Sequence, residues 1–186
     1  MNTSRTLLYT LIIPAFLLQA QSLHMFAQWS HDPTVNTPIC TAVNSQIAPA
    51  IVSDGTGGAI ITWNDQRFSS YGNNYVYAQR VDASGAARWV LNGVSICNAG
   101  RPPITPIPPA IVTDDSGGAI IVWHDFRFQW TIYAQRISSA GVTQWQSDGV
   151  AVSFSMGASP AVQFCPIVAA DGKGGAIVCW QAFRNG

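Results

Sequence analysis

Glutamate is absent from the 186 residues and lysine occurs once, at Lys173, so the nine acidic side chains are all Asp and eight of the nine basic ones are Arg. With Glu missing, Lys nearly so, and 16 Gly and 11 Pro present, the composition argues against helices and for short strands joined by turns. Charge is also scarce, at 10% of residues and a formal net value of zero, which excludes the basic surface that nucleic-acid binding needs. A hydrophobic content of 48% excludes a disordered chain. The four cysteines show no CxxC spacing, so no zinc site is suggested.

No apolar run reaches the ~20 residues of a membrane-spanning helix. The longest, Leu7 to Leu18, follows Arg5 and is interrupted by Pro14, which reads as a secretory signal peptide rather than an uncleaved anchor. Residues 1–27 are assigned to it, with cleavage after Ala20 or Ala27. The mature chain, 28–186, is expected to be secreted, at the cell surface or in the periplasm, with no transmembrane span.

Self-similarity dominates what is present. PAIVSDGTGGAIITWNDQRF from Pro49 recurs as PAIVTDDSGGAIIVWHDFRF from Pro109 and as PIVAADGKGGAIVCWQAFRN from Pro166. YAQRVDASGAARWVLNGVSIC from Tyr77 recurs from Tyr133 as YAQRISSAGVTQWQSDGVAVS. The opening VNTPIC matches the tail of such a block, and the array stops at Gly186 inside its third unit. Each unit reads as four antiparallel strands: Pro49 to Ser53, a DGTGG turn, Ala59 to Asn64, Tyr75 to Asp82, and a fourth around Arg88 to Leu91. A four-stranded unit repeated in tandem every ~40–60 residues predicts an all-β, partial and open β-propeller of about two and a half blades. A β-sandwich or open β-solenoid is the alternative. Since propellers close with ~4–8 blades, the chain is expected to be a fragment of a larger propeller, with assembly of several copies or a lone arc as the other possibilities.

These units resemble the tandem DGxGGAIxxWxDxR and YAQRxxxxGxxxW repeats of secreted bacterial proteins, especially large Bacteroidetes-type exported proteins with β-propeller domains. The matching residues are Asp54, Gly57, Gly58, Trp63, Asp65 and Arg67, and again Asp114, Gly117, Gly118, Trp123, Asp125 and Arg127. The resemblance implies fold and export and brings no activity. Such proteins usually carry more repeats and often a carboxy-terminal sorting domain. In the third copy Ala182 stands where the others have Asp65 and Asp125.

Among candidate functional residues, Asp65 with Arg67 and Asp125 with Arg127 form the strongest polar pairs, two apart at a strand end and therefore on one face. Such rows can bind anionic sugars, or tie each strand end to its loop; their recurrence favours the tie. Arg80 and Arg136 of YAQR are read in the same way. Arg184 has no Asp partner in its motif and is the candidate left free for a ligand. The turn residues Asp54, Asp114 and Asp171 invite a calcium reading, but one carboxylate per turn is too few ligands, and no cofactor is expected.

Trp63, Trp123 and Trp180 at one repeat position, and Trp89 and Trp145 at another, are expected to pack between units. Trp130 has no counterpart and is the candidate platform for a glycan. Cys40 and Cys97 fall in different units; Cys165 and Cys179 flank the third turn, with buried free thiols expected over a bridge. No Ser/His/Asp or Cys/His set is available, and every glycosidase carboxylate would have to be Asp. The expectation is thus a non-enzymatic exported structural or interaction module, its partner a protein or a glycan, with edge-to-edge self-association at its unpaired strands. A carbohydrate-binding module is the alternative, and a sialidase-like hydrolase the third reading.

Overall fold

The computed structural model describes residues 32, 34–68, 75–99, 107–127, 130–153 and 162–183. The expected signal peptide, residues 1–27, as well as Trp29 and Arg184, lies outside these residues. No helix among the described residues is long and apolar enough to cross a membrane.

The described residues form ten strands and no helix. The first unit holds β1 (Gln46–Ser53), β2 (Ala59–Asp65), β3 (Tyr75–Val81) and β4 (Val94–Cys97), an antiparallel sheet in chain order. The second repeats it with β5 (Ala110–Thr113), β6 (Ala119–Asp125), β7 (Thr131–Ile137) and β8 (Val150–Ala151). The third shows β9 (Val162–Ala170) paired with β10 (Ala176–Phe183).

The DGxGG turn is built by its own Asp. Asp54 Oδ1 accepts the amides of Thr56 and Gly58, both at 2.8 Å, and Gly57 takes φ +89°. Asp114 and Asp171 organise the other two turns in the same way. From these turns, period-2 alternation gives each sheet two apolar faces. Ile60, Val76 and Ala78 of the first sheet pack on Ala119, Ile121, Trp123, Tyr133 and Ile137 of the second. Val112, Ile120, Val122, Ile132 and Ala134, on the second sheet's opposite face, pack on Val168, Ala176 and Val178 of the third. The three sheets therefore stack in one direction, the Trp-bearing faces of the second and third units each against the plain face of the unit before.

The tail-like opening also has a structural counterpart. Arg67 Nη2 reaches Cys40 Sγ at 3.4 Å and the Thr41 amide donates to Asn92 Oδ1 at 2.8 Å. One unit later, Arg127 Nη2 reaches Cys97 Sγ at 3.1 Å and the Asn98 amide donates to Asp148 Oδ1 at 2.7 Å. Residues 40–41 thus sit on the first unit as residues 97–98 sit on the second.

Three expectations require correction. The fourth strand is at Val94–Cys97 and Val150–Ala151, not around Arg88 to Leu91. There the fully buried Gln79 side chain takes the ladder's place: its Oε1 accepts the Trp89 amide at 2.9 Å and its Nε2 donates to the Val90 carbonyl at 2.9 Å. Gln135 does the same with Trp145 and Gln146, so pairing resumes only after the left-handed Gly93 and Gly149.

Tryptophan burial is uneven. Trp63, Trp89 and Trp123 are buried, whereas Trp145 and Trp180 are 38% and 36% exposed. Trp63 and Trp123 stack on Tyr77 and Tyr133 of the adjacent strand, and Trp89 lies under the Ser138–Val142 turn of the second unit, donating to the Ser139 carbonyl at 3.0 Å. Trp145 and Trp180 meet no such strand or turn among the described residues. The cysteines are free, but not uniformly buried: Cys97 is buried, Cys40 and Cys165 are half-buried and Cys179 is exposed. The β9–β10 register sets Cys179 opposite Ile167, with a bulge next to it at Cys165, so the two thiols do not face each other.

Glycine at the fourth-strand entry supports the stacked Trp. A Cβ on Gly149 would stand 2.5 Å from Trp123 Cη2 and 2.8 Å from the Ala134 carbonyl, at φ +84°. Gly149→Ala is expected to cost about 1–3 kcal/mol through left-handed strain and overpacking. Urea denaturation followed by near-ultraviolet dichroism checks it, and an unchanged midpoint would contradict the packing.

Candidate functional site

In each of the first two units the recurring Asp and Arg residues form two closed clamps. At the end of β2, Arg67 Nε donates to Asp65 Oδ1 at 2.8 Å and Nη2 to Asp65 Oδ2 at 2.7 Å, a bidentate pair. Trp63 Nε1 donates to the same Oδ2 at 2.7 Å, and the Arg67 amide to Oδ1 at 2.9 Å. Arg67 Nη2 continues to the Asn92 carbonyl at 2.7 Å, while its guanidinium lies 3.9 Å from the centre of the Tyr77 ring. Burial pushes the Asp65 pKa up, but the bonds from Arg67 and Trp63 outweigh it and hold the carboxyl below its ordinary value.

The second unit repeats this around Asp125. Arg127 Nη2 pairs with Asp125 Oδ2 at 2.6 Å and reaches the Asp148 carbonyl at 2.9 Å, and its guanidinium lies 3.9 Å from the centre of the Tyr133 ring. The neighbouring Cys97 thiol is raised to about 12 by burial, so it is a protonated packing group and not a nucleophile. With their donors and acceptors turned on one another, the two pairs are ties between strand end, loop and preceding unit rather than an open anion groove.

A second clamp joins the hairpin turn to YAQR, a connection that the spacing of the motifs alone did not reveal. Arg80 Nε donates to Asp54 Oδ2 at 2.9 Å and Nη1 to the Ser139 carbonyl at 3.3 Å; Arg136 Nε donates to Asp114 Oδ2 at 2.9 Å. Burial raises the Asp54 pKa, but bonds from Thr56, Arg80 and Gly58 together lower it to about 2. Both oxygens of Asp54 are thus engaged by donors within the protein, which is the opposite of a calcium ligand awaiting its ion. No three His, Cys or Asp side chains gather to hold a metal among the described residues. Asp171 keeps its turn bonds to Lys173 and Gly175, but no cation pairs with it among the described residues.

Two places depart from the repeat or remain open. A polar cleft of about 750 Å³ lies between the first two DGxGG turns, lined by Thr56, Arg80, Thr113, Asp115, Ser116 and Ser139. On the second unit Trp130 packs against Phe126 and His124, with ring centres 4.9 and 5.7 Å apart. Trp130 is half-buried and Phe126 exposed, so this aromatic group reaches the surface at one edge.

His124 carries an electrostatic cost. It is buried, its Nε2 has no hydrogen-bond partner among the described residues, and burial lowers its pKa from 6.5 to about 4, with Asp125 pulling the other way. Asn64, at the same place in the first unit, donates instead to the Ile107 carbonyl at 3.0 Å. Between pH 6.5 and 4 the unfolded chain takes up a proton that folded His124 refuses, so stability falls as pH falls through that window. About 2 kcal/mol should be lost between pH 7 and pH 5. His124→Asn should remove that loss, as measured by urea midpoints at the two pH values. In the clamp itself, Asp125→Ala should cost about 3–5 kcal/mol by leaving the half-buried Arg127 unpaired. The same denaturation measurement checks it.

Compared with protein-family models, with curated proteins and with solved structures, the chain matches none.

Proposed function

We propose that this chain is a non-enzymatic, exported repeat protein whose stacked sheets are part of an open β-propeller, serving as a structural or interaction module like the secreted bacterial repeats its DGxGG and YAQR motifs resemble. One observation carries the reading: in the first two units the recurring Asp and Arg side chains are spent on one another. A catalytic site needs titratable groups aimed into a cleft, and a groove for anions needs guanidinium donors facing outward. Here Asp65, Asp125, Arg67 and Arg127 are turned on one another and on Cys40 or Cys97 of the preceding segment, and the exposed surface includes apolar side chains such as Ile167 and Ile177. Export is supported by the short, Pro-broken apolar run behind Arg5.

The carbohydrate-binding reading is supported by the Phe126–Trp130 pair, an aromatic patch that breaks the repeat and reaches the surface. A glycan array and a fluorogenic glycoside panel separate the readings. The scaffold reading expects silence in both. Reproducible glycan binding that disappears in Trp130→Ala would replace it with the carbohydrate-binding module, and turnover lost in Asp125→Asn would replace it with an enzyme.

A further inference from the structure

The cleft between the first two DGxGG turns holds hydrogen-bonding capacity that the clamps leave unspent. One wall is the Asp54 turn with Arg80 beside it, and the other is the Asp114 turn with Ser139 of the loop after β7. Its volume of about 750 Å³ falls within the ~300–1,000 Å³ of small-molecule sites.

The sequence departs from its own repeat where it lines this cleft. The residue before the motif Asp and the residue two after it are hydroxylated in the first two turns, as Ser53 with Thr56 and Thr113 with Ser116, whereas the third turn has Ala170 and Lys173. Asp115 stands where the other turns have Gly55 and Gly172 and takes the same left-handed backbone, at φ +56° against +75° and +72°. Glycine adopts that φ at no steric cost, so turn geometry alone does not account for a carboxylate here.

Thr56 and Arg80 are already engaged. Thr56 Oγ1 donates to Asp54 Oδ2 at 2.8 Å and accepts Arg80 Nη2 at 3.1 Å, while the rest of the guanidinium goes to Asp54 and the Ser139 carbonyl. The other polar groups are open. Ser53 Oγ and Thr113 Oγ1 accept the amides of Gly55 and Asp115, both at 3.1 Å, and keep their own protons to donate. The Ser116 and Ser139 hydroxyls meet no partner among the described residues. Asp115 Oδ2 takes the Gly174 amide at 3.2 Å, which anchors the carboxylate and leaves Oδ1 for an incoming donor.

The geometry points to this cleft as a binding site for a small neutral polyol, a free monosaccharide or an alditol. Each hydroxyl of such a molecule both donates and accepts, which matches hydroxyl donors set beside one carboxylate acceptor. An anion meets Asp115 and an Arg80 already paired with Asp54, a cation leaves the hydroxyl protons unused, and an apolar molecule finds no aliphatic or aromatic side chain. The site is separate from the Trp130 patch, which lies at the β6–β7 end of the second sheet, opposite the β5–β6 turn that lines the cleft. Lacking an aromatic platform, it binds at millimolar strength, which a washed glycan array does not retain.

The test titrates glucose, galactose, mannose and sorbitol into the full chain while nuclear magnetic resonance follows the amides of Gly55, Thr56, Ser116 and Gly117. Saturable shifts of these amides with at least one of the four, at a Kd in the millimolar range, are the expected result. Asp115→Gly restores the residue of the other two turns, which keeps the fold, and should weaken binding about tenfold, as should Ser116→Ala combined with Ser139→Ala. Trp130→Ala should leave binding unchanged. No saturable shift with any of the four, or the same Kd in Asp115→Gly, would overturn the site. So would glucuronate or ethanolamine binding more tightly than all four neutral probes. Absent shifts with a silent glycan array overturn the cleft alone, whereas array binding through Trp130 with the shifts intact overturns the scaffold reading alone.

Discussion

The buried carboxylate at the end of each second strand is the constraint on which the first two units depend. Asp65 is fully buried, a position that would be prohibitive for a charge without compensation. The compensation arrives from four directions: the Trp63 indole, the Arg67 amide, the Arg67 guanidinium and, through that guanidinium, the carbonyl of Asn92. Since Arg67 is held at both ends, it also fixes the loop after β3 and rests on Cys40 of the preceding segment. One ion pair thus aligns a strand end, a loop and a neighbour, and in the second unit Asp125 and Arg127 do so again.

At the opposite end of the sheet the Asp54–Arg80 clamp plays a complementary part. Asp54 shapes its own turn and then takes the guanidinium of a strand two places along the sheet, while Arg80 also touches the Ser139 carbonyl of the next unit. Between these two polar ends the sheet faces are largely apolar, and it is those faces that stack. Zero net charge and low charge content follow from this design, because most charged residues exist to satisfy one another. The polar glutamine of YAQR fits the same logic: buried without charge, Gln79 and Gln135 replace a missing stretch of backbone pairing with their own amides.

What the sequence made legible was what recurs locally. The turns at Asp54, Asp114 and Asp171, the hairpins around them, and the pairing of Asp65 with Arg67 all follow from short-range spacing and strand alternation. The fourth strand was misplaced because Arg88 to Leu91 follows a turn and looks extended, while the cause of its displacement is a side chain ten residues earlier. The Asp54–Arg80 pair was missed because it joins the β1–β2 turn to β3, and only the sheet register brings the two residues together. Recurrence of a polar Gln on an otherwise apolar strand was the available signal for the first of these.

The unequal tryptophans show how far a repeat can be read as a set of equal parts. Position in the repeat decided what Trp63, Trp89 and Trp123 do, but their burial depends on neighbours, and Trp145 and Trp180 share the position without the neighbours. The third unit differs at the same level: Ala182 replaces the clamp carboxylate, and the plain face that Ile60 and Ile120 bury in the earlier units is exposed at Ile177. A repeat residue therefore specifies a socket rather than a buried contact, and the burial of its side chain is decided by what the neighbouring unit sets against it.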